Sequence, residues 1–165
     1  MALIVEDGTG LSNAESYASV LDFQTYHANM GNDVTLLTDT TIEQLLRRST
    51  QYMVAVYRQR WQGRRTLQTQ ALDFPRYDVF VDGYSVLSNI VPLEIKYACC
   101  ELALKANSGE LLADQTQKVI REKVDVIEVE YDKNSPAQTR YSQIDAMLST
   151  LLLSTNSIES KLVRA

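Results

Sequence analysis

Histidine, cysteine, tryptophan and proline are scarce in this chain of 165 residues: His27 is alone, Cys99 and Cys100 are the only thiols, Trp61 is the only indole, and there are three prolines. Each shortage excludes something. Adjacent cysteines rarely bridge, because the small ring they would close strains the peptide, so no disulfide framework exists and both read as reduced small hydrophobes. One histidine without a Cys-x-x-Cys pair leaves too few ligands for zinc. Three prolines and six glycines exclude collagen-like and Pro/Gly-rich disordered chains. Long apolar runs are missing too: the longest uncharged stretch, Met147 to Ile158, contains Ser, Thr and Asn and falls short of a membrane span. Met1 to Val5 runs straight into Glu6 and Asp7, so no secretory leader is expected and the chain reads as soluble and cytoplasmically made. A basic excess is also absent. Sixteen Lys and Arg against 21 Asp and Glu give a net charge of −5, the wrong sign for a free-standing duplex-DNA binder.

What is present suits one folded domain, with 45% apolar and 22% charged residues. Residues 1–18 read as an extended arm, with Leu3-Ile4-Val5 strand-like and Asp7-Gly8-Thr9-Gly10 a turn. Ser19 and Asp22 predict a capped helix start, followed by Phe23, Tyr26, His27 and Met30 on one face and a stop at Gly31. Thr40 and Glu43 predict a second capping box, opening a helix whose stripe runs from Ile42 through Leu45, Leu46, Ser49, Met53 and Val56 to Tyr57. Carried to Trp61 and stopped by Gly63, it would be about 30 Å long. Pro75 makes the stretch around Phe74 irregular, and Asp82-Gly83 between Val79-Phe80-Val81 and Tyr84-Ser85-Val86 is a type I′ hairpin signal. Pro92 opens a third helix with Ile95, Ala98, Cys99, Leu102 and Ala106 inward. Between Lys118 and Tyr131 an alternating pattern slips phase near Val126, which predicts a bulge or tight turn there. A last helix carries Ile144, Met147, Leu148, Leu151 and Leu152. The expected fold is therefore mainly α: a small bundle of about four helices with an inserted β-hairpin and a second short β segment. It spans residues 1–153, and 154–165 form a tail ordered by a partner.

Catalytic parts are missing. His27 lies on an apolar face with no companion nucleophile and reads as a core histidine. Asp132-Lys133-Asn134 starts like a calcium loop, but Ala137 stands where glycine must turn and Gln143 where a bidentate Glu is required. Gly8-Thr9-Gly10 lacks the third glycine and the following helix of a dinucleotide loop. Glu122, Asp125, Glu128 and Glu130 on alternating strands read as a solvated face. No enzymatic activity, metal or cofactor is expected.

One feature stands out. From Arg47 to Arg76 there are seven arginines and one acid, Asp73, a local balance of +6 that leaves −11 for the rest of the chain. Arg58, Arg60, Arg64 and Arg65 bracket Trp61, a combination suited to phosphates, to single-stranded bases or to the carboxylates of a partner protein. The plainer alternative is a solvated helix face whose arginines pair with acids elsewhere in the fold. In the tail, Ile158, Leu162 and Val163 recur at i, i+4 and i+5, with Lys161 and Arg164 between and beside them. Such a segment is too short to hold a helix alone.

The order of several short motifs resembles the head–tail connector, or adaptor, proteins of long-tailed double-stranded-DNA phages. They are the opening Met-Ala-Leu-Ile-Val-Glu-Asp-Gly-Thr-Gly, Ser16-Tyr17-Ala18-Ser19-Val20, Leu46-Arg47-Arg48-Ser49-Thr50-Gln51-Tyr52, Tyr57-Arg58, Trp61-Gln62-Gly63-Arg64-Arg65, Gln70-Ala71-Leu72-Asp73-Phe74-Pro75-Arg76, Asp82-Gly83, Ile90-Val91-Pro92, the Ala98–Leu104 helix, and Arg121-Glu122-Lys123-Val124 before Ile127-Glu128-Val129-Glu130-Tyr131. The resemblance extends to about Leu152. It implies a virion neck protein in a homo-oligomeric ring of twelve copies, docked on the portal protein after packaging. That ring bridges to the next neck, stopper or tail-completion protein, passes DNA through its channel without specific binding, and touches no membrane. It also implies that Ile158, Lys161, Leu162, Val163 and Arg164 dock on the portal. Members of this group are often labelled DnaT-like single-stranded-DNA-binding proteins, and a replication-complex protein of that kind is the alternative reading. Arg58, Arg60, Trp61, Arg64 and Arg65 are then contact candidates for a neighbouring subunit, the portal or nucleic acid.

Overall fold

Ser19 opens helix α1 (Val20–Asn29) with a reciprocal cap: its hydroxyl accepts from the Asp22 amide at 3.0 Å, and the Asp22 carboxylate accepts from the Ser19 amide at 2.9 Å. Gly31, at φ 78°, ends it. Helix α2 (Asp39–Tyr57) starts earlier than the Thr40–Glu43 pattern suggests, because Thr38 accepts from the Thr41 amide. It also stops at Tyr57, four residues before Trp61, since the chain turns through Arg58 to Arg60 to place the indole in the core. Helix α3 (Leu93–Ser108) begins directly after Pro92, and α4 (Ser142–Leu148) continues into a 3₁₀ turn, Ser149–Leu151.

Among the described residues the helices are joined by three two-stranded antiparallel ladders: β1 (Arg64–Arg65) with β2 (Arg76–Tyr77), β3 (Phe80–Val81) with β4 (Tyr84–Ser85), and β5 (Val119–Lys123) with β6 (Glu128–Tyr131). The computed structural model describes residues 2–112, 119–123, 128–131 and 140–153. The expected phase slip at Val126 falls between β5 and β6, outside the described residues, and a separate register shift lies between Val119 and Arg121. Asp82 and Gly83 sit at φ 53° and 83°, the left-handed pair that a type I′ hairpin requires. The chain is thus mainly helical, with small antiparallel hairpins.

The core forms where α2 and α3 pack together, with α1 and α4 against α3. Ala98, Cys99, Ala103 and Ala106 on α3 are small and buried, which lets the larger Ile42, Leu46 and Met53 of α2 be buried as well. Cys99 is a buried free thiol with the Ser49 hydroxyl at 3.0 Å and the Thr50 hydroxyl at 3.5 Å. His27 is fully buried: its Nε2 lies 3.1 Å from the Cys100 carbonyl oxygen and its Nδ1 3.2 Å from the side-chain nitrogen Nδ2 of Asn32. A carbonyl only accepts, so Nε2 carries the proton and Nδ1 accepts, which makes His27 a core residue with both nitrogens engaged.

Two carboxylates fasten the N-terminal arm. Glu6, 1% exposed, accepts from the amides of Gly8 (3.0 Å), Gly10 (2.8 Å) and Leu11 (2.9 Å), so the turn is wound around its own buried anion. Glu15 takes two donors from Arg47 of α2, at 3.1 and 2.9 Å, and those bonds hold its carboxyl below its ordinary value of 4.5.

Glu6→Ala leaves three amides without an acceptor and is expected to cost about 2–4 kcal/mol, read as a lower urea midpoint. Glu6→Gln, with one acceptor oxygen where two are used, should recover only part of the loss. Because the folded pKa of Glu15 is depressed, its contribution is present above the unfolded value of 4.5 and fades as pH falls through the lower folded value. Glu15→Gln should therefore flatten the acid limb of the stability–pH curve below about pH 4.5, while leaving its neutral-to-alkaline shape unchanged.

Candidate nucleic-acid interface

Most of the arginine block is engaged within the molecule. Arg58 Nε reaches Asp73 Oδ1 at 3.0 Å, an ion pair whose acid is only 1% exposed. Arg60 donates from Nη1 to Asp145 Oδ1 of α4 at 3.2 Å, and its guanidinium carbon Cζ lies over the Tyr57 ring, 5.1 Å from its centroid, while the Tyr57 hydroxyl donates to the same carboxylate oxygen at 3.0 Å. Burial and the Asp145 charge push the Tyr57 phenol well above its ordinary value, so it remains a donor. Arg48 caps the end of α3 through the carbonyls of Ala106 and Gly109. Arg47 joins Glu15 and Glu43.

Trp61 must be reassigned. It is 3% exposed, edge-on to Phe74 with centroids 5.1 Å apart, and bridged to Leu152 through the backbone. An indole in that position offers no face to a base, so the sequence proximity of Trp61 to four arginines does not make them one surface. The segment after it is zipped to the C-terminal turn: the Gln62 amide donates to the Leu151 carbonyl at 3.0 Å and the Leu153 amide to the Arg60 carbonyl at 2.7 Å.

Arg64 and Arg65 differ from the rest. Both are exposed and sit on β1, where Arg64 stands opposite Tyr77 and Arg65 opposite Arg76. Arg64 meets Asp78 at 3.6 Å, with side-chain exposures of 79% and 68%, a surface pair worth little against a competing anion. Arg65 donates one N–H to the Gln70 carbonyl at 3.1 Å and makes no ion pair among the described residues. Three aromatic residues nearby are exposed: Tyr77 (46%) across the ladder from Arg64, then Phe80 (53%) and Tyr84 (80%) on the following hairpin. Gln62 ties the two ladders together, since its side-chain oxygen accepts from the Phe80 amide at 3.2 Å while its backbone carbonyl accepts from Arg76 at 2.7 Å.

Arg76, largely buried, sets this arrangement. Its guanidinium donates to the carbonyls of Gln62, Gly63 (2.6 Å) and Asp73 (3.2 Å), pinning the start of β1 to the irregular stretch that ends in β2. Gly63 is required there: its φ is +62°, and a Cβ would stand 1.9 Å from the Tyr77 carbonyl oxygen. The tryptophan draws attention in the sequence, whereas the exposed rings do not. Their signal lies in Val79-Phe80-Val81, whose alternation around a hairpin turns Phe80 away from the buried Val79. Among the described residues no group of His, Cys, Asp and Glu could hold a metal ion, and no helix is long and apolar enough to cross a membrane. Ile158, Lys161, Leu162, Val163 and Arg164 lie outside the described residues.

A protein family described as "Putative DnaT-like ssDNA binding protein" matches residues 1–165, the whole chain. The chain belongs to that family. No curated protein and no solved structure matches it. The DnaT-like match overturns the neck-protein expectation, because it names single-stranded-DNA binding and carries no head–tail connector identity. Two of the motifs behind the connector resemblance, Trp61-Gln62-Gly63 and Asp73-Phe74-Pro75-Arg76, are accounted for by the packing just described.

Gly63→Ala should destabilise the protein by at least about 2 kcal/mol in thermal or urea denaturation, because strain and steric overlap act together there. A loss below about 0.5 kcal/mol would mean that β1 has freedom to move away from Tyr77.

Proposed function

We propose that this protein binds single-stranded DNA along the β1–β4 segment, with backbone phosphates on Arg64 and Arg65, which flank β1 from its two faces, and bases on Tyr77 and on one of the hairpin rings, Phe80 or Tyr84, which the register sets on opposite faces. The observation that carries the reading is the cross-strand pair Arg64–Tyr77, a weakly paired guanidinium beside an exposed ring, followed by two more exposed rings on the adjoining hairpin. Single-strand binders use this combination: cations track the backbone, while rings accept any base by stacking. Membership of the DnaT-like family supports it. The surrounding charge limits affinity. With a net charge of −5, binding rests on a local cluster, and ions screen the rest of the chain beyond about 8 Å at physiological salt.

Fluorescence anisotropy with a labelled oligothymidylate tests the proposal. Binding should be salt-sensitive, with dissociation constants of about 1–100 μM at physiological salt. Arg64→Ala with Arg65→Ala should lower the slope of log K against log salt by about 1.4, because two phosphates of the single strand are then left to their counterions. Tyr77→Ala should weaken binding by about 1–3 kcal/mol with little change in that slope. Equal affinity for duplex and single strand, or binding unchanged in both variants, would defeat the assignment.

A further inference from the structure

A groove of about 430 Å³ separates α1 from α3, and it shares no residue with the β1–β4 surface. Its floor includes the buried Cys100 and the half-buried Tyr26. The Tyr26 ring stacks on Tyr97 at 4.8 Å, and its hydroxyl donates to Glu101 at 3.0 Å. Its rims are apolar and exposed: Leu21 (70%) and Met30 (59%) on one wall, Leu93 (59%) and Tyr97 (41%) on the other. Large side chains gathered in this way, rather than scattered singly, mark an interaction surface. The walls also carry opposite charges. Asp22 on α1 uses Oδ2 in the Ser19 cap and has no bond on Oδ1 among the described residues, and Lys96 on α3 has no ion pair among them.

We infer that two copies of this chain associate through this groove about a two-fold axis. In an isologous interface, residue i meets j while j meets i, so a face joins itself only if it carries both halves of every contact. This face does. Rotation brings Lys96 of each copy to Asp22 of the other, and a protruding Leu21 or Leu93 of each finds the groove of the other. A partner of uniform charge would satisfy one wall and be repelled by the other. None of the residues that line the groove belongs to the β1–β4 surface, so association is tested in the absence of nucleic acid.

Sedimentation velocity on the full chain at about 100 μM, above the dissociation constant expected of a modest interface, reads the result directly. The expected mass is twice 18.6 kDa, falling towards 18.6 kDa on dilution. Leu93→Asp and, separately, Lys96→Glu, which sets an acid against Asp22, should each weaken association by about tenfold or more, with circular dichroism and melting transition retained. Three results overturn the inference: a monomer at every concentration, a dimer undiminished in both variants, or a monomer that dimerises only after residues 154–165 are deleted. The last would show that the chain's own terminal segment occupies the groove.

Discussion

One buried guanidinium organises the surface of this protein. Arg76 is 8% exposed and bonds three backbone carbonyls from two distant stretches, Gln62-Gly63 and Asp73. Irregular backbone away from a helix or sheet leaves carbonyls that must find donors, and a planar fork with five N–H groups can serve several at once. Burial pulls the guanidinium below its ordinary value while Asp73 opposes that shift, and a guanidinium is basic enough to stay charged. Everything around it follows. Asp73 is held from one side by Arg58, and its amide donates to the buried Tyr17 hydroxyl at 2.9 Å. Phe74 is thereby fixed against Trp61. Remove the fork and three carbonyls, a buried carboxylate and an aromatic pair lose their registration together.

Seven arginines within thirty residues look like a binding surface when read as a string. In three dimensions they divide by what they can reach. Where a carboxylate or an unpaired carbonyl lies within the fold, the arginine closes a gap between elements: the turn after α2 to α4 through Arg60 and Asp145, α2 to the arm through Arg47 and Glu15, α2 to the end of α3 through Arg48. The plain reading of the cluster, arginines pairing with acids elsewhere, therefore describes Arg47, Arg58 and Arg60. Only on β1, a strand two residues long at the surface, do guanidiniums stand with little to hold them.

What can be read in advance follows the range of the interactions involved. The Ser19–Asp22 cap, the inward stripe of α3 and the Asp82-Gly83 turn are set by neighbours within four residues, and the sequence displays them. The cap of α2 falls two residues before the predicted Thr40 because Thr38 and Thr40 offer equivalent hydroxyls, and only the approach of the chain selects one. Trp61 defeats a local reading for a deeper reason. Its burial depends on Leu152 and Phe74, one about ninety residues away, and no local pattern encodes that meeting. The exposed rings share the difficulty: Tyr77 matters because Arg64 lies across a ladder held by Arg76 and Gly63. The resemblance to connector proteins rests on the order of such motifs, and their order reports packing as readily as function.

The acids near the exposed rings complete the physical picture. Asp78 and Asp82 both adopt positive φ, at 59° and 53°, conformations that Asp and Asn tolerate better than most residues, so their presence answers a backbone need. They also place negative charge beside Tyr77 and Phe80. A single strand can lay one backbone along Arg64 and Arg65 and turn its bases towards the rings. A duplex keeps its bases stacked inside and brings a second phosphate backbone towards those carboxylates. Because Asp78 already pairs with Arg64, a phosphate of either form must displace it, so on the proposed reading discrimination against double-stranded DNA rests on the exposed rings, which only unpaired bases can reach.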